Sequence, residues 1–192
     1  MRRERLLFIC FAAAAQGIVK DGITLWEPTI LTHLHNLPIS MISAASAFIP
    51  VCSFAGIYVS GKLMKRYAGQ ERIPGIALFS GTALLCLLFF FLMGRFVWLD
   101  LFFFGAISAM LYGVNTLLLT YIPLRLSSYG CPSSVAGLFN FCAYLGAGAA
   151  GILLGFFADV GGWESTIAVW PALCVLGALA AALGARSRTE ST

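Results

Sequence analysis

Apolar runs long enough to cross a bilayer recur six times in this chain, and nothing else limits its fold so strongly. They cover about 6–31, 40–63, 74–93, 99–122, 133–158 and 165–183. A helix needs ~20 apolar residues to cross the hydrocarbon region. Turn or charge signals separate the blocks: HNLP, KRYAGQERIP, GRFVWLD, RLSSYGCP and DVGGWE. The ten-residue alternation of a barrel strand is missing. The chain is 60% hydrophobic and 10% charged, whereas a water-soluble domain is about a quarter charged. Sixteen phenylalanines, several in runs such as FFFL and LFFFG, suit lipid contact. The expected fold is an all-α integral membrane domain of six transmembrane helices filling residues 1–192.

The basic residues set the expected orientation. With the amino terminus in the cytoplasm, the inner loops hold Arg2, Arg3, Arg5, Lys62, Lys65, Arg66, Arg72, Arg125, Arg186 and Arg188, and the outer loops only Arg95. That bias places both ends inside. Asp100, Asp159 and Glu164 fall in outer loops. The net charge of +4 then serves insertion and needs no nucleic acid. The first block starts basic, but it is too long for a cleavable signal and has no clear cleavage site before Lys20.

Catalysis and metal binding find little support. The cysteines at 10, 52, 86, 131, 142 and 174 show no metal-ligand spacing. Those within spans read as small apolar core residues. His33 and His35 share an outer loop without a third ligand. No nucleophile elbow, phosphate loop or catalytic dyad occurs, so neither an enzyme nor a cofactor is expected.

Charge inside the first block is the exception to the apolar pattern. Gly17–Leu31 reads GIVKDGITLWEPTIL and holds Lys20, Asp21 and Glu27. Lys20 lies about 21 Å in from Leu6 at 1.5 Å per residue. A charge at that depth costs at least ~2.5–3.5 kcal/mol. Lys20, Thr24 and Glu27 share one helical face, and Asp21 points about 100° away. Two readings stand for Lys20: a charge pair with Asp21 or a neighbouring helix, or a cation facing an aqueous cavity and an anion. Asp21 reads as a proton-coupling carboxylate or as the counter-ion of Lys20. Glu27, before Pro28, reads as coupling or charge-pair, near the outer surface.

Further polar groups recur at helical spacing. Tyr112, Thr116 and Thr120 form a stripe beside Asn115, and Asn140 and Tyr144 stand at i, i+4 ahead of glycines 146, 148, 151 and 155. For Asn115 and Asn140, interhelical hydrogen bonding and ligand contact are equally open. The third and sixth blocks carry few polar residues beyond Ser80 and Thr82 and read as lipid-facing. A weak internal repeat pairs GKLMKRYAG at the end of the second block with GFFADVGG at the end of the fifth. They fall on opposite sides, as a 3+3 inverted repeat requires.

VKDGITLWEPTIL, MLYGVNTLL and AYLGAGAAGILLGFFADVGGW together resemble the carboxy-terminal half of a major facilitator superfamily transporter. More narrowly they are similar to the organophosphate:phosphate antiporter family, which includes the glycerol-3-phosphate and hexose-phosphate transporters. The likeness covers nearly the whole chain. It implies half of a major facilitator fold in the plasma (inner) membrane, working by alternating access on a small anionic solute. It puts Lys20 at the family's phosphate-binding arginine and Tyr112 and Tyr144 at cavity tyrosines. Trp26 and Pro28 match the same pattern as structural residues. The candidate substrate-binding set is thus Lys20, Thr24, Tyr112, Asn115, Asn140 and Tyr144.

Departures from the family pattern matter. Lysine keeps the charge but loses bidentate phosphate recognition. The superfamily loop signature survives as Gly61, Lys65 and Arg66, with lysine where an aspartate is usual. Six helices make half a cavity, so a second six-helix half is the expected partner. Three forms stay open: a fragment or split-gene product, a self-pairing half-transporter, or a non-transporting membrane sensor or partner subunit.

Overall fold

The first block lacks any strong helix breaker before Pro28, and it becomes a single long helix. In the computed structural model, which describes residues 3–125 and 132–184, α1 spans Arg3–His35. Pro28 has no N–H to give Thr24, so the ladder skips one bond there. The helix ends where Asn36 adopts a left-handed φ of 51° ahead of Pro38.

The second block is interrupted at Ala47, which leaves α2 (Ile39–Ser46) and α3 (Phe48–Arg66). The single helix expected over 40–63 is therefore two pieces. α4 is Arg72–Leu92 and α5 is Val97–Thr116. A π-helical turn, Leu117–Tyr121, joins α5 to α6 (Ile122–Arg125). That wide turn breaks the stripe read from the sequence: Tyr112 and Thr116 are half-buried, but Thr120 is exposed.

The last element, α7, runs Pro132–Gly184, and at 1.5 Å per residue its 53 residues would reach about 80 Å if straight. It is not straight. Gly162 takes φ 73°, a conformation that costs glycine little. The Thr166 hydroxyl then donates to the carbonyl of Leu154, twelve residues earlier, at 3.2 Å. The chain reverses on this glycine, so the loop expected at DVGGWE is one residue wide.

Five elements are long and apolar enough to cross a membrane: Glu4–His35, Ser40–Arg66, Arg72–Leu92, Val97–Arg125 and Pro132–Gly184. The protein is an all-helical membrane protein, and no strand occurs among the described residues.

α1 packs along α7, α3 on α5, and α4 on both α7 and α5. Glycines set the closest approach. A Cβ on Gly17 would collide with the carbonyl of Ala143, and one on Gly146 with that of Ala14. The two helices therefore touch backbone to backbone, as small residues permit in membranes.

The apolar core forms two layers. One holds Val19, Ile23, Ile30, Phe89, Phe104 and Trp170; the other holds Ile9, Ala13, Phe79, Val114, Leu117 and Phe139. This corrects the lipid-facing reading of the third and sixth blocks. Phe79, Cys86 and Phe89 of α4, and Ile167, Trp170 and Cys174 of the second arm of α7, are core. Sequence polarity missed them because both faces of these helices are apolar, and only packing separates them. α3 is the helix most open to its surroundings, with Val51, Phe54, Tyr58 and Val59 exposed.

Of the basic residues used for orientation, Arg2, Arg186 and Arg188 lie outside the described residues, as does the LSSYGC stretch before Pro132, which includes Cys131.

Candidate solute site

The break between the core layers falls at one level. α1 contributes Gln16 there, between Ala13 and Val19. α4 contributes Thr82 between Phe79 and Ala83, and α5 Tyr112 between Leu111 and Val114. Gln16 is 1% exposed, and neither its amide nitrogen nor its oxygen has a partner. Such a group costs roughly 1–3 kcal/mol. The sequence reading passed over Gln16, although it precedes Lys20 by one helical turn.

Lys20 stands at the edge of this level. Its Nζ lies 2.6 Å from Asp21 Oδ1, and the two side chains are 14% and 33% exposed. The ammonium also sits over the Tyr112 ring, 5.2 Å from the centroid, within cation–π range. Adjacent residues point 100° apart on a helix, so this pairing depends on the lysine stem curling back. Of the two readings open for Lys20, the charge pair is the one seen, with Asp21 as its counter-ion. Thr24, one turn on, donates its hydroxyl to the Lys20 carbonyl at 3.0 Å and is otherwise exposed.

Above Lys20 a cleft of about 400 Å³ opens between α1, α2, α3 and α5. Thr24, Glu27, Ser43, Ser46, Ser53 and Tyr112 give its polar lining; Ile23, Pro28, Ile49 and Pro50 give much of the rest. Its volume suits a small solute. Glu27 is 4% exposed. α2 covers it, and Ser46 Oγ approaches Glu27 Oε1 to 2.5 Å. Ser46 carried no helix-pattern signal, because its role depends on the break at Ala47.

The other expected site residues disperse. Asn115 is half-buried on α5, outside the cleft lining. Asn140 is exposed on α7, and Tyr144 beside it is 67% exposed. Gly61 of α3 faces the Tyr121 hydroxyl of the π-helical turn, while Lys65 and Arg66 are exposed on the last turn of α3. The adjoining turn is held instead by an ion pair between Arg125 and Glu71.

At the other end of α1, His33 and His35 are on the helix rather than in a loop. His33 is exposed. His35 Nε2 lies 2.8 Å from Asp100 Oδ2, which also accepts the Gly94 N–H at 2.9 Å. Asp100 is fully buried in the first turn of α5, not looped out as the sequence suggested. Trp163, just after the reversal at Gly162, packs on Trp26 with ring centroids 5.3 Å apart.

All five described cysteines are free thiols. Two cross-helix contacts join four of them, Cys10 with Cys142 and Cys86 with Cys174.

Neither a protein-family model nor a curated protein matches the chain.

Proposed function

We propose that the chain is one half of a membrane carrier that moves a small solute by alternating access. Six spans follow when the arms of α7 on either side of Gly162 are counted separately. On this reading the chain is a 3+3 repeat forming half of a major facilitator fold, in the plasma (inner) membrane with both ends cytoplasmic. The basic-residue bias supports that orientation.

One observation carries the proposal: a lysine kept at mid-bundle depth, closed onto its own neighbour Asp21 and lying over Tyr112, a residue that lines a small-solute cleft. Among the described residues, Lys20 has no partner from a second helix beyond the Tyr112 ring. An incoming anion therefore competes with one adjacent carboxylate, not with an interhelical ion pair. Exchange of an organic phosphate or similar anion for phosphate follows if the anion displaces Asp21 and the empty carrier recloses the pair. Asn140 and Tyr144 add support. Polar groups on the outside of a membrane helix are costly against lipid, and a second six-helix half would cover them.

The test is phosphate and sugar-phosphate exchange in proteoliposomes holding the chain alone or with a matching amino-terminal half. Exchange is expected in one or both. Lys20→Ala is expected to abolish it while insertion stays normal. Unchanged exchange in that variant removes Lys20 from the site. No exchange in either reconstitution overturns the carrier reading and favours the non-transporting sensor or partner subunit.

A further inference from the structure

The cleft contains an acid that the lysine does not neutralise. Lys20 is closed onto Asp21, so that pair has no net charge. Glu27 faces the cleft two turns further along α1. Among the lining residues, Tyr112 of α5 is the one other titratable group, and α2 and α3 supply hydroxyls and apolar groups. On α7, Asp159 and Glu164 flank the reversal but are exposed. No cation among the described residues is paired with Glu27.

Hydrogen bonding at Ser46 decides what form this acid takes. Ser46 Oγ is 2.5 Å from Glu27 Oε1 and 2.8 Å from the carbonyl of Ile42. Both neighbours read as acceptors, yet a hydroxyl has one proton. Both contacts are satisfied if Glu27 carries a proton, donates it to Ser46 Oγ, and Ser46 donates onward to Ile42. O–H···O bonds range over about 2.5–3.0 Å, so the short contact fits donation in either direction, and it is the single hydroxyl proton that separates the two. A lone carboxylate at 4% exposure is also costly in an apolar bundle.

We propose that Glu27 and Ser46 form a proton-binding site that loads and unloads through the cleft. On release, the Glu27 proton passes to water in the cleft. Ser46 then turns its hydroxyl from the Ile42 carbonyl to the carboxylate and leaves that carbonyl to its helical partner. Loading reverses both movements. Each cycle moves one proton and makes or breaks no other covalent bond. Asp21, held by Lys20, is the counter-ion and not the coupling acid. The role assigned to this proton in solute movement rests on the carrier reading; the site itself does not.

Infrared difference spectroscopy of the whole chain in lipid nanodiscs tests the site without solute flux. A protonated-carboxyl band is expected near neutral pH. It disappears in Glu27→Gln, shifts in Ser46→Ala, and declines reversibly as the bulk pH is raised. A band that survives Glu27→Gln, or no band at all, overturns the proposal. So does a Glu27 band that ignores bulk pH while the amide signal shows an intact helix bundle, because that acid is fixed. If Glu27→Gln does not fold, the Ser46→Ala shift alone decides whether the acid donates to this hydroxyl. Proteoliposome exchange separates the two readings: a titrating band without exchange keeps the proton site and overturns the carrier, and exchange without the band does the reverse.

Discussion

α1 carries two acids six residues apart, and the structure treats them in opposite ways. Asp21 finds its partner within its own helix, one residue away, at 2.6 Å. Glu27 finds its partner on another helix, where α2 folds across it. Asp21 remains 33% exposed, and Glu27 is 4% exposed. The first arrangement pairs a carboxyl group with a local cation. The second leaves a carboxyl group beside a hydroxyl, with no cation paired to it among the described residues. An acid in a membrane helix thus meets either a local cation or a hydroxyl from another helix, and which one depends on what tertiary packing brings alongside.

Exchanging each acid for its amide separates the two arrangements most directly. Asp21→Asn leaves Lys20 without its counter-charge, and destabilisation of up to about 3 kcal/mol is expected, the insertion cost of an isolated lysine. Unfolding measured in bilayers checks this, and Lys20→Ala/Asp21→Ala together should recover most of the loss. A silent Asp21→Asn would mean that water already screens the pair.

The buried acid at the far end of α1 gives the next effect. Asp100→Ala strips the acceptor from the half-buried His35 and from the exposed Gly94 N–H, at a cost of about 1–2 kcal/mol, most of it from the His35 contact. The same measurement reports it, and local opening shows as faster amide exchange around 94–100.

Ser46→Ala is smaller, about 1 kcal/mol, the ordinary net worth of one hydrogen bond. Glu27→Gln should be smallest, below about 1 kcal/mol, because the amide still donates to Ser46 Oγ in place of the acid proton. A Glu27→Gln loss as large as that of Asp21→Asn would mean that both acids are ionised, and the contrast between them would collapse.

Much of the bundle was legible in advance because length and hydropathy are local properties. The apolar blocks became helices close to their expected limits. The site was legible only where it depended on one helix. The face shared by Lys20, Thr24 and Glu27 followed from helical period, and Thr24, Glu27 and Tyr112 do line one cleft. Asn140 and Tyr144 followed from the same period, yet they point away from it. A period gives a face but not what the face meets.

By itself, the sequence determined that this chain spans a membrane as helices, that its first helix carries charge at depth, and that its turns fall near glycine, proline and charged residues. Those outcomes depend on transfer free energy and backbone sterics, which act over a few residues. Tertiary structure decided the rest. It closed Lys20 onto Asp21 and left Gln16 buried without a partner. It drew Asp100 out of its expected loop to His35, and laid Ser46 across Glu27. These depend on helix breaks at Ala47 and Gly162 and on which apolar faces interlock, and such contacts between distant segments have no local sequence signature.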